Sequence, residues 1–151
     1  MCKEAQNKNK SRIMKLIALQ KRFKPYANNF DKQMQILFKK NTDVILGLNR
    51  NQLVSESVDI EGDSFPNYAP MSVTMRKAKG LQTARMDFVF SGKLQKQMFI
   101  KWNSDGFIIT SSVDYANEVQ SKWLALGLTD ENLENLVRNI IIPSMLKNIF
   151  K

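Results

Sequence analysis

Three groupings of residues in this chain have the types and spacing to do chemistry. The first is Ser91-Gly92-Lys93, set in "DFVFSGKLQKQ" behind an apolar run. A phosphate-binding loop needs an upstream glycine, then Gly-Lys and a Ser or Thr, opening a helix after a strand. Here the upstream glycine is missing, Leu94 stands at the hydroxyl position, and the residues that follow alternate as a strand does. The reading is a glycine turn feeding a strand, with no nucleotide bound. The second grouping is Asp59, Glu61 and Asp63. Three carboxylates at alternate positions suit Ca²⁺ or Mg²⁺. The twelve-residue loop with its closing Glu is absent, so a solvated loop is expected and no metal is assigned. The third is Arg76, Lys77, Lys79 and Arg85, continued by Lys93, Lys96 and Lys101, with Phe88, Phe90, Phe99 and Trp102 interleaved. A surface that grips single-stranded nucleic acid combines phosphate contacts with stacking rings in this way. The aromatics also sit at alternating positions, which points to burial in a core.

Composition narrows the function classes. Histidine is absent from the 151 residues, which removes the commonest general base and every Ser/His or Cys/His pair. One cysteine, Cys2, and no histidine cannot build a Cys/His zinc site or an internal disulfide. Carboxylate or lysine chemistry stays open, and no enzyme activity or cofactor is assigned. No apolar stretch approaches the roughly 20 residues that span a bilayer, and a soluble chain on the cytoplasmic side, without membrane contact, is expected.

The net charge of +9 is unevenly placed. Residues 1–40 hold eleven Lys or Arg against Glu4 and Asp31, whereas residues 41–151 hold twelve of each sign. Within the balanced part, residues 76–101 carry seven basic groups against Asp87. Basic residues so grouped favour nucleic acid or an acidic protein surface. The candidate contacts are Lys8, Lys10, Arg12, Lys15, Lys21, Arg22 and Lys24 in the arm, and Arg76, Lys77 and Lys79 in the band.

The elements that must position these groups follow from periodicity. A basic arm, residues 1–28, with a short amphipathic helix over 11–24, precedes a single α+β domain, residues 29–151. A long helix is expected over about Asn29 to Leu48, where Phe30, Met34, Leu37, Phe38, Ile45 and Leu48 share a face. Val54, Val58 and Ile60 alternate as in a strand, and "EGDSFPNYAP" reads as loop. A short helix after Pro70 stops at Gly80. Met98, Ile100 and Trp102 alternate against Phe99 and Lys101, "NSDG" turns the chain, and "FIITSSV" returns, which predicts an antiparallel hairpin. A helix opening near Asp114 and a second capped by Thr129 follow. Pro143 kinks or breaks the last one. The order gives a small, mostly antiparallel sheet packed by helices, with a helical carboxy terminus.

Taken together, Tyr68, Pro70, Thr74, Gly80 and Ser91-Gly92-Lys93-Leu94, followed by Gly127, Thr129 and Leu133 in "GLTDENL" and by Pro143, form a series. It resembles the signature of tail-completion and neck proteins of tailed bacteriophages: an acidic glycine loop, a Tyr-x-Pro helix, a Ser/Thr-Gly turn into a strand, and a "GLT" helix with a later proline. The resemblance implies a non-enzymatic virion protein, assembled in the bacterial cytoplasm, that forms a homo-oligomeric ring at the head–tail connector or upper tail. Its partners would be portal, adaptor or tail-tube proteins. The arm lies outside the matched region, and packaged DNA or a neighbouring subunit are both open to it. A nucleic-acid-binding accessory protein is the alternative.

Overall fold

A computed structural model describes residues 21, 23–24, 27–104 and 106–150. The described chain divides into two compact units. The larger is Asn41–Val137; the smaller takes the residues up to Lys40 together with those from Arg138 onward. The class is α+β, with a two-stranded antiparallel sheet among helices.

In the smaller unit, α1 (Phe30–Lys40) carries Asp31 in its first turn and Lys39 and Lys40 in its last, each opposite in sign to the helix dipole it meets. Leu37 is its buried residue. The single helix expected from Asn29 to Leu48 is not formed. It is broken at Asn41, whose φ and ψ of −106° and 22° leave the helical region, and α2 (Thr42–Asn51) starts afresh from the Asn41 carbonyl. The break falls at the boundary between the units. The expected amphipathic helix over 11–24 and the contacts Lys8, Lys10, Arg12, Lys15 and Arg22 lie outside the described residues. Lys21 and Lys24 are exposed.

The larger unit holds the sheet. Strands β1 (Met98–Trp102) and β2 (Phe107–Ser111) pair from Met98↔Ser111 to Trp102↔Phe107. Met98, Ile100 and Ile109 are buried while Phe99, Lys101 and Ile108 face outward, the alternation that a half-buried hairpin requires. Beside it, Leu53, Phe65, Leu94, Val119 and Ala125 form a core cluster, with Met86, Phe88, Val113 and Trp123 packed on it. Complete burial of Leu53 and of Leu94 contributes about 1.5–3 kcal/mol each.

Two local structures differ from expectation. The segment expected to be a strand begins as a π-helical turn, Gln52–Glu56, continuing α2 and ended by Ser57 at φ 54°. Only an isolated bridge, Val58↔Ser64, remains of the strand. The π turn has a use: it buries Gln52, whose amide then crosses the unit. Gln52 Nε2 donates to the Asp59 carbonyl, and Gln52 Oε1 accepts from the Thr129 amide and from Asn132 Nδ2. A second π-helical turn, Val137–Ile141, lies where Pro143 was expected to disturb the last helix. Proline lacks the N–H that would bond four residues back, and the widened turn before it absorbs the mismatch. The chain then resumes as Ile142–Ile149 with Pro143 in its first turn.

Candidate functional site

The helix α3 (Pro70–Ala78) starts on Pro70, whose missing N–H costs nothing there, and ends in a Schellman cap. Gly80, at φ +66°, donates to the Lys77 carbonyl, and Leu81 donates to that of Arg76. Thr74 returns its hydroxyl to the Pro70 carbonyl at 3.2 Å. Four residues before the cap, Arg76 turns inward.

Arg76 was placed by sequence among the surface cations, and that assignment is corrected: it is 2% exposed. Its guanidinium bonds both Asp87 oxygens at 3.0 and 2.9 Å, the Gln82 carbonyl at 2.6 Å and the Val89 carbonyl at 2.7 Å. Nη2 serves both carboxylate oxygens while Nε and Nη1 each reach a separate backbone carbonyl, a spread of donors that a lysine lacks. Asp87 also accepts from Tyr68 Oη at 2.7 Å, from Gln82 Nε2 at 2.7 Å and from the Val89 amide at 2.8 Å. The Tyr68 hydroxyl in turn accepts from the Asp87 amide, and its ring lies 4.1 Å beneath the guanidinium carbon. Burial pushes the Tyr68 phenol up to about 12, because the phenolate would lose solvation. The backbone shares in the arrangement. Phe88 sits at φ 55°, a left-handed geometry that disfavours a bulky residue, and its ring meets Phe65 edge-on at 4.9 Å.

In front of this network opens a groove of about 560 Å³. Its lining is largely apolar, from Met75, Met86, Phe88, Phe90 and Tyr115, joined by Tyr68, Arg76, Ser72, Ser91 and Lys93. Met75 is 50% exposed, and Met71 on the same helix is 78% exposed. Lys79 places its ammonium 3.9 Å above the Phe90 ring. Tyr68 and Ser91 of the motif series thus meet at the groove. Asp87, Met86 and Tyr115 were not singled out from sequence. A signal for Asp87 existed: it is the one acid between residues 76 and 101, in the apolar context "MDFVF".

The turn at Ser91-Gly92-Lys93 is correct in kind and different in detail. Gly92 is at φ +71°, but it opens a one-turn helix, α4 (Lys93–Lys96), before the strand begins. That helix exists to bury Leu94 and Gln95 while Lys93 and Lys96 stay outside. Of the remaining motif residues, Gly127 and Thr129 lie elsewhere in the larger unit and Pro143 belongs to the smaller one. Thr129 Oγ1 accepts from the Asn132 amide at 3.2 Å and caps Asp130–Leu136, here α6, after α5 (Ala116–Trp123). Gly127 runs against Ile60, where a Cβ would come within 2.7 Å of Ile60 Cγ2.

Comparison with family models, curated proteins and solved structures returned no match.

Asp59, Glu61 and Asp63 do converge, their carboxylate oxygens lying within 4.8 Å of one another. Asp59 Oδ1 accepts from the amides of Glu61 and Asp63, both at 2.9 Å, so that one oxygen shapes the turn. Among the described residues, no helix is long and apolar enough to cross a membrane.

Proposed function

We propose that this chain is a structural virion protein of a tailed bacteriophage, acting at the head–tail neck or as a tail-completion protein through ring assembly. The observation that carries the reading is the groove. Of the charged side chains that line it, Arg76 is spent on Asp87 and Lys93 is exposed, and Tyr68 holds its proton up to about 12. What else reaches solvent is mostly thioether and aromatic surface. Exposed methionine adapts its shape to a protein partner at little cost, and such surface suits assembly better than turnover. The motif series supports the same reading, since Pro70 begins the helix that forms one wall and Tyr68 lines the groove just before it.

The test is electron microscopy and light scattering of the purified protein, alone and with portal or tail-tube proteins. Closed rings that incorporate into particles are expected. A strictly monomeric protein absent from mature particles overturns the proposal.

A second reading, a nucleic-acid-binding accessory protein, is favoured by one observation: Phe90 and Phe99 are exposed beside exposed lysines. DNA titration at several salt concentrations separates the two. Binding through phosphates gives a steep negative slope of log affinity on log salt, whereas an assembly protein without a DNA role gives no binding at low salt.

A further inference from the structure

The larger unit carries its charges unevenly along the chain. Its residues 76–101 hold seven basic groups and one acid, while the rest of Asn41–Val137 holds two basic groups, Arg50 and Lys122, against eleven acids. The buried Arg76–Asp87 pair cancels internally. Of the six other cations, all exposed, Lys79 and Lys93 stand at the groove and form its basic pole, whereas Arg85 donates to Ser64 Oγ next to Asp63. One group of acidic residues is gathered by Gln52. By bonding Asp59, Thr129 and Asn132 together, it sets the loop that bears Glu61 and Asp63 beside the start of α6, with its exposed Asp130 and Glu131. Leu133, 39% exposed, adds an apolar side chain to that pole. The groove belongs to the basic pole, with Lys93 in its lining and Lys79 over its Phe90 ring.

We infer that the groove receives the acidic pole of a second copy of this chain, with Leu133 of that copy against Met75 and Phe90, and Asp130 and Glu131 facing Lys79 and Lys93. This rests on the ring reading above and supplies its contact. The two poles use different residues, so the contact is head-to-tail and repeats from copy to copy. Charge complementarity sets the register and rejects groove-to-groove pairing, which would oppose lysines to lysines.

Charge exchange in the full-length protein tests this, with oligomeric state read by sedimentation and light scattering. Lys79→Glu with Lys93→Glu is the groove variant; Asp130→Lys with Glu131→Lys is the pole variant. Each is expected to weaken self-association about tenfold or more. An equimolar mixture of the two is expected to regain association with the variants alternating, because native groove meets native pole and reversed groove meets reversed pole. The chain with all four substitutions regains association. Circular dichroism and the thermal midpoint establish that each variant is folded. Where a reversal unfolds the chain, Lys79→Ala with Lys93→Ala, or Glu131→Gln, takes its place, and weaker association is again expected. Wild-type rings that persist unchanged in both variants overturn this inference and leave the ring reading intact. A groove variant that loses DNA binding while assembling normally also overturns it. A wild-type protein that stays monomeric with and without its virion partners removes both.

Discussion

Asp87 takes hydrogen bonds from four groups inside the larger unit, so its removal strands a buried guanidinium. Breaking one side of a buried pair costs about 3–5 kcal/mol, and Asp87→Ala is expected to lose about that much in chemical denaturation. Removing both charges, as Arg76→Leu with Asp87→Leu, should cost less than the two single changes summed, because no orphan charge is left. Additive losses would show that the pair is not coupled. Tyr68 gives a pH prediction of definite sign. Its phenol ionises at the ordinary 10.0 in the unfolded chain and at about 12 in the fold. The folded state therefore keeps a proton that the unfolded state releases. Its stabilisation is complete below pH 10 and is lost as pH rises through about 12. Phenolate absorbance should show a late-titrating component that is absent in Tyr68→Phe. At this scale the sequence was a partial guide. Gly92, Gly80 and Thr129 announce themselves, since a left-handed turn or a cap demands few residue types. Arg76 does not, because a cation among cations carries no sign that its neighbours are lysines outside and an aspartate inside.

Elements were legible where one period dominates. The hairpin shows because side chains alternate and Gly106 helps turn the chain, the Asn103 amide donating to its carbonyl at 3.1 Å. The break at Asn41 was hidden, since apolar residues on both sides of it fit one helical stripe and no proline or glycine marks the stop. The π-helical turn at Gln52–Glu56 was hidden for a related reason. Val54, Val58 and Ile60 alternate in sequence, yet the local backbone is set by burial of Gln52 and Leu53. The one-turn helix after Gly92 is testable as an element. A Cβ at Gly92 meets nothing closer than Lys96 Cε at 3.8 Å, so the obstacle to a side chain is φ +71° rather than space. Gly92→Val should therefore cost about 2 kcal/mol, a β-branched residue resisting that angle. Lys93→Ala, on an exposed face, should fall within about 0.5 kcal/mol of the parent. Thermal unfolding of both variants checks the pair, and equal midpoints would count against the assigned turn.

For the whole molecule, the uneven charge matters more than its total. A net +9 suggests a uniformly basic protein, whereas the larger unit sets Lys79 and Lys93 at its groove and an acidic cluster where Gln52 joins the 59–63 loop to α6. Association between such poles is screened by salt, with a reach of about 10 Å at 0.1 M and about 3 Å at 1 M. Oligomers are thus expected to dissociate as salt rises across that range, with the apolar groove setting what remains at the upper end. Sedimentation at graded salt reads this directly, and salt-independent oligomers would assign the contact to apolar surface alone. The poles were visible in sequence as a count of charges along the chain. Their three-dimensional grouping was not, because it depends on Gln52 joining segments almost eighty residues apart.

The two compact units are unequal in one further respect. The larger is an uninterrupted stretch, Asn41–Val137, and the smaller is assembled from chain on both sides of it. Since the ribosome works from the amino terminus, every residue of the groove, the hairpin and the Gln52 crossing has been made before Arg138 is added. Domains fold as units during synthesis. The unit that bears the groove thus has its full sequence in hand before the smaller one, which also needs the stretch from Arg138.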